Sequence, residues 1–155
     1  MIVLLDYQFT LCHNSKTLPW PPTKETVPRE EYRDWLWQAL KPHRVVLVTV
    51  RWNDLKEMTL QNIREKCPGF KLEGALFNFW RLPAPESKRR NVLTHVIPKY
   101  GPVGGQYLAI ESNRDTREMY AQLGIPAVRH DDPNLMRYLS GEMVAAAEPE
   151  QGSLL

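Results

Sequence analysis

Short apolar runs alternating with amphipathic helical segments predict an α/β fold: a parallel sheet of about five strands with helices on its faces. Three observations carry this. Ile2-Val3-Leu4-Leu5 is a continuous apolar run, as a strand buried on both faces requires. Between such runs, apolar residues recur at helical rather than alternating spacing. Proline and glycine then punctuate the segments where one type gives way to the other.

The elements follow in order. After the first strand, Pro19, Pro21, Pro22 and Pro28 keep the segment from Tyr7 to Pro28 irregular. Tyr32, Trp35, Leu36, Ala39 and Leu40 then fall on one helical face, which Pro42 ends. Arg44 to Val50 contains Val-Val-Leu-Val and reads as a second buried strand. Asn53 suits the N-cap of a helix with Leu55, Met58, Thr59, Asn62 and Ile63 inward, stopped by Pro68-Gly69. Gly74 to Phe79 is a third strand, and Glu86 to Pro98 a helix with Leu93, Val96 and Ile97 inward. Tyr107 to Ile110 is a fourth strand. Asn113 opens a helix with Thr116, Met119, Tyr120 and Leu123 inward, and Gly124 is its C′ residue. Ala127 to Arg129 is a short fifth strand, followed by a brief helix near Asn134 to Leu139.

At 155 residues the chain matches one domain, expected over residues 1–139, with residues 140–155 as a flexible tail. A net charge of +2 is too small for a dedicated nucleic-acid stripe, yet it suits an anionic ligand held by a few local arginines. Cys12 and Cys67 provide no disulfide framework and no metal cluster with the histidines, so buried thiols in a reducing compartment are expected. The first apolar run is too short to cross a membrane. A soluble, cytoplasmic protein is expected.

In parallel sheets of this kind the site lies beyond the carboxyl ends of the strands. The residues there are Asp6, Tyr7, Gln8 and Thr10; Thr49 and Arg51; Arg81; and Glu111, Ser112, Asn113 and Asp115. Acids, hydroxyls and arginines together are the chemistry of a metal-assisted phosphate site.

These residues also carry a resemblance. An apolar strand ending in Asp6-Tyr7-Gln8-Phe9-Thr10 is similar to the first motif of the haloacid dehalogenase (HAD) superfamily. Val46-Leu47-Val48-Thr49 resembles its second motif, and Thr49-Val50-Arg51 the Ser-Gly-Arg turn of the polynucleotide phosphatases. Pro85-Glu86-Ser87-Lys88 resembles the motif that supplies a lysine, and Leu108 to Asn113 the last, acid-bearing motif. In order and spacing the chain most resembles the 3′-phosphatase domain of phage-type polynucleotide kinase-phosphatases. The resemblance implies a Rossmannoid three-layer sandwich with a minimal cap. It implies Asp6 as nucleophile, with Thr49 and Lys88 on the phosphoryl oxygens. Thr10, Arg51 and Arg81 fall on the substrate side. Mg²⁺ is implied between Asp6, the Gln8 carbonyl and the last motif.

Two positions depart from the pattern. Gln8 stands where the family has its general-acid aspartate, and an amide does not exchange a proton near neutral pH. Ser112 stands where a second acid follows Glu111, whereas Asp115 has the spacing of a variant register, Glu111-x-x-x-Asp115. Both registers stay open. The expectation is a Mg²⁺-dependent phosphohydrolase acting on nucleotide or polynucleotide phosphate ends, weakened by Gln8. The alternative is an inactive module that binds a phosphorylated ligand, nucleic acid or a protein partner. The short segment in the cap position leaves the site open to a polymer end. The five tryptophans are expected mainly in the core, with Trp20 and Trp52 on segments flanking the site.

Overall fold

The structure, a computed structural model describing residues 1–142, places five strands in one wholly parallel sheet. They are β1 (Ile2–Leu5), β2 (Arg44–Trp52), β3 (Gly74–Asn78), β4 (Tyr107–Ile110) and β5 (Ala127–Val128), in the spatial order β3-β2-β1-β4-β5. β1 is central: Ile2–Leu5 pair with Arg44–Leu47 on one side and with Tyr107–Ile110 on the other. Both faces of β1 are covered, which is why all four residues are apolar and buried.

Helices α1 (Asp34–Leu40) and α2 (Lys56–Lys66) follow β1 and β2. After β3 the chain forms α3 (Ala84–Asn91), a π-helical turn (Val92–Val96) and α4 (Ile97–Tyr100), and α5 (Arg114–Gln122) follows β4. The short helix α6 (Leu135–Leu139) comes last. Alternate strand residues pack into two layers. Val3, Leu5, Val45 and Leu47 meet Leu36, Leu40, Ile63 and Leu135 on the α1, α2 and α6 side. Ile2, Leu4, Val46 and Val48 meet Val92, Val96, Met119 and Tyr120 on the α3 to α5 side. The expected three-layer α/β sandwich is therefore present. The winding reverses between β1 and β4, which are neighbours although β2 and β3 intervene in the chain. That reversal opens a crevice beyond the carboxyl ends of β1 and β4.

Several helical details differ from the sequence reading. In α1 the buried set is Leu36, Trp37 and Leu40, while Trp35 is half exposed. Trp37 is fixed there by packing against Phe70 and by donating from its indole nitrogen to Asp34 Oδ1 at 3.0 Å. Among the tryptophans, only Trp37 joins the core; Trp20 and Trp52 are exposed as well as Trp35. Asn53 is no cap: it begins a 3₁₀ turn, Asn53–Leu55, that leads into α2. The helix expected to run to Pro98 continues to Tyr100 by way of the π turn. Pro98 lacks an N–H, and the wider turn just before it accommodates the missing donor. This turn also shifts the helical phase, so Val92 joins Val96 against the sheet and Leu93 turns outward.

No helix among the described residues is long and apolar enough to cross a membrane. The tail expected from residue 140 falls, beyond residue 142, outside the described residues. Cys12 and Cys67 are free and buried.

Leu47 is fully buried at the centre of the larger core layer. Leu47→Ala is expected to cost about 2–5 kcal/mol, because the parallel strands on either side hold the cavity open. Urea unfolding should show a lower midpoint with an unchanged slope.

Candidate functional site

Asp6 and Glu111 are each the first residue past a strand, and the ladder extends to hold them. Asp6 N donates to the Ile110 carbonyl at 3.0 Å, and Glu111 N to that of Val128 at 2.9 Å. Both follow a residue of the α1–α2 face, so the strand alternation aims them toward α3. Lys88 meets them from that helix. Its ammonium donates to Asp6 Oδ1 at 2.7 Å and to Glu111 Oε1 at 2.6 Å. All three side chains are almost completely buried. Burial alone would raise Asp6, but the Lys88 ammonium and hydrogen bonds from Lys88, Thr10 and Ser112 hold it below the usual carboxylate range. Burial works against the Lys88 charge too, and the two carboxylates raise its pKa above the ordinary lysine value. Glu111 is pushed up to about 7: burial raises it most, Lys88 pulls it down and Asp6 pushes it up again.

The second oxygen of Asp6 is held as closely. Thr10 Oγ1 donates to Oδ2 at 2.9 Å, and the Ser112 hydroxyl lies 2.9 Å from the same oxygen and 3.3 Å from the Gln8 carbonyl. The loop after β1 turns back at Phe9, whose φ of +66° is in the left-handed region that a bulky side chain rarely adopts. That turn lets Cys12 N reach the Tyr7 carbonyl at 2.8 Å. Arg33 braces it from outside, with Nε on the Thr10 carbonyl at 2.9 Å and a second nitrogen on that of Phe9 at 3.3 Å.

Above the triad lies an open cleft of about 420 Å³. Gln8, Ser112 and Asn113 line its polar side, Val50 and Ala84 one wall, and Phe9, Trp20 and Arg129 its rim. Arg129 was missed by the sequence reading. It follows β5, the shortest strand, and is held by Asp131 at 2.9 Å. Its position one residue past a strand was the available signal.

Several expected residues are placed elsewhere. Thr49 is fully buried, does not line the cleft, and accepts a bond from Arg51 N at 3.1 Å. The cause is the strand alternation: β2 runs on to Trp52, so Thr49 falls on the face of Val45 and Leu47, and Val50, on the face of Val46 and Val48, lines the cleft instead. Arg51 turns into the opposite layer. It forms a two-point ion pair with Glu30, donates to Thr59 Oγ1 at 3.0 Å and lies 4.4 Å over the Tyr7 ring. Tyr7 and Tyr32 join this buried network through their hydroxyls, 2.7 Å apart. Glu30 was missed because it lies in irregular chain that periodicity does not read. Thr10 positions Asp6 and does not line the cleft. Arg81 is exposed, 3.1 Å from Asp54 and stacked 4.0 Å over Trp52. Asp115 is exposed in the first turn of α5, among Glu86, Arg89 and Glu118 and away from the cleft. The register Glu111-x-x-x-Asp115 therefore brings no second acid to Asp6, because the turn of α5 carries residue 115 past the crevice.

Among the described residues, no three acids, histidines or cysteines gather as a metal cage. Three hard oxygens do converge: Asp6 Oδ2, the Gln8 carbonyl and Ser112 Oγ, linked by the hydroxyl contacts. Such a set suits a loosely held Mg²⁺ whose remaining ligands are waters and substrate phosphate.

No family model matches the chain, and no curated protein matches it. Solved structures do. Chains in structures described as the Pnkp1/Rnl/Hen1 complex and the Pnkp1/Rnl/Hen1 RNA repair complex each superpose with a TM-score of 0.65 at 16% identity. The match covers 83% of this chain but only 45% and 41% of theirs, so this chain spans less than half the length of either. At this identity the likeness is one of fold.

The sign of the Glu111 shift gives a prediction. Its folded value, about 7, lies above the ordinary 4.5, so the folded state holds the proton more tightly. The resulting stabilisation is full below about 4.5 and is lost as pH rises through about 7. Thermal melts should show wild type losing stability relative to Glu111→Gln across that window. A difference flat with pH would mean that Glu111 ionises as an ordinary carboxylate.

Proposed function

We propose that the cleft is a metal-assisted phosphate-ester site of the HAD kind, acting weakly on the phosphorylated end of a nucleotide or polynucleotide. One observation carries this reading: a buried lysine joined to two carboxylates, at the carboxyl ends of β1 and β4 where the winding reverses. The order of sequence motifs and the likeness of fold to chains of an RNA repair complex support it.

In this reading the Asp6 carboxylate attacks phosphorus and the bond to the leaving oxygen breaks, giving an aspartyl-phosphate. Thr10, Ser112 and Lys88 hold the carboxylate in place at the foot of the cleft, and one of these contacts opens as an oxygen attacks. Mg²⁺ held by Asp6, the Gln8 carbonyl and Ser112 would offset charge on the phosphoryl oxygens. Lys88 offsets more of that charge from the other side, and Arg129 at the rim is placed to meet the rest of an anionic substrate. The leaving oxygen draws its proton from solvent, because the Gln8 amide cannot supply one. Water then adds to phosphorus, inorganic phosphate departs and the carboxylate is restored. Gln8 serves that step by orienting water rather than by deprotonating it.

A second reading, phosphate binding without turnover, is favoured by Gln8 itself and by the full engagement of Lys88 with its two acids. The experiment is a phosphatase assay over nucleotides and 3′-phosphorylated oligonucleotides, with and without Mg²⁺. Slow, Mg²⁺-dependent release of phosphate is expected, and Gln8→Asp should raise it by about two to four orders of magnitude. An active wild type whose rate collapses in Gln8→Asp would overturn this mechanism. No turnover in either protein, with phosphate analogue still bound, would establish the binding reading.

Calorimetry with Mg²⁺ separates the acids. Binding should be modest, should strengthen when a phosphate analogue is present, and should fall in Glu111→Ala, which releases Lys88 onto Asp6. Asp115→Ala should match wild type, since Asp115 lies outside the cleft.

A further inference from the structure

Four aromatic side chains, three of them exposed and Trp80 half-buried, lie after β2 and β3 and at the cleft. Trp52 closes β2, Phe79 and Trp80 follow β3, and Trp20 stands at the cleft rim. Trp52 is 50% exposed, Trp20 70% and Phe79 71%. Single exposed apolar residues need no explanation, but several together at the edge that carries the cleft do. The chain links them to it: Val50, which lines the cleft, stands two residues before Trp52, and Ala84, which also lines it, opens α3 four residues after Trp80.

Cations lie against these rings. The Arg81 guanidinium lies 4.0 Å over Trp52, and Arg90 5.2 Å over Trp80. Phe79 and Trp80 meet edge to face, 6.2 Å between centroids. Among the described residues Arg90 has no carboxylate partner. The segment that presents Phe79, Trp80 and Arg81 is braced rather than slack. The buried Asn78 side chain donates to the Leu82 carbonyl at 2.7 Å and accepts from Leu82 N at 3.2 Å, so it ties together both ends of the segment 79–81. Arg81 completes the turn at a φ of +56°. Flat rings interleaved with guanidinium groups on a preorganised loop match the faces and phosphates of an unpaired nucleic-acid strand. An apolar protein partner would gain nothing from the uncompensated charge of Arg90.

We infer that Trp52, Phe79 and Trp80, with Arg81 and Arg90, form a base-stacking track for single-stranded nucleic acid that leads along the β2–β3 side into the Asp6 cleft, where Trp20 receives the terminal base. The direction of the strand rests on the reading of that cleft as a phosphate site. The stacking itself does not.

The test is fluorescence anisotropy with a labelled oligouridylate of about ten nucleotides, alongside hydrolysis of a small aryl phosphate. Trp52→Ala and Phe79→Ala should each weaken binding about five- to a hundredfold, and Arg90→Gln should lower the salt slope by about one. Neither aromatic residue contributes to the cleft, so the hydrolysis rate should not change. Oligonucleotide affinity that is lost in the variants of a protein with no phosphatase activity keeps the track and removes the phosphatase. Hydrolysis without oligonucleotide binding, or equal affinity for wild type and the Trp52→Ala/Phe79→Ala double variant, removes the track. Wild-type self-association in sedimentation that disappears in the double variant would assign the aromatic patch to a protein contact instead.

Discussion

Between Asp6 and Glu111 stands a single buried ammonium, and the geometry of the cleft depends on it. Two carboxylates this close, both out of water, repel each other strongly, and the Lys88 charge makes their approach tolerable. The bonds also tie together β1, β4 and α3, three elements that meet at no turn. Because Lys88 comes from α3, it helps to seat that helix on the sheet, together with the Asn91 bond to the Phe77 carbonyl, and so bears on the width of the crevice. The compensation is unequal. Asp6 keeps its charge, and Glu111 bears the cost of being the second acid.

A second buried charge pair works on the opposite face. Glu30 reaches from the irregular segment before α1 to Arg51 at the end of β2, with Tyr7, Tyr32, Thr59 and Asn62 satisfying most of the remaining polar atoms. Tyr7 is chain neighbour to both Asp6 and Gln8, so this network anchors the cleft loop from behind. The arginine that the motif suggested for substrate is thus committed to structure. What cationic supply the cleft has beyond Lys88 comes from Arg129 at its rim.

How much of this was legible depended on whether a feature obeys a period. The strands and their order of function did: Asp6 and Glu111 follow uninterrupted apolar runs, and that position alone marked them. Asn113 was legible for the same reason, and its side chain does accept from Thr116 N at 2.9 Å as an N-cap. The misreadings have different physical causes. The π turn before Pro98 turned Leu93 outward, whereas Thr49 was misplaced because β2 runs on past it and its alternation gives Thr49 to the α1–α2 face. Trp35 and Trp37 flank the same helical face, and packing against Phe70 together with the indole bond to Asp34 selects Trp37. Glu30 and Trp20 lie in chain without periodicity, so no local pattern could assign them a neighbour. Asp115 had the right spacing along the chain, but a helix turn carried it to a different surface.

The two cysteines, which are buried and do not line the cleft, give the fold a pair of internal clocks. Burial raises the thiol of Cys12 and pushes that of Cys67 up to about 12, so neither offers thiolate to a reagent while the structure is closed. Cys12 is bridged to Gln8 in the loop behind the cleft, whereas Cys67 ends α2. Alkylation at each sulfur therefore times a different local opening within one molecule, without any label having to be introduced.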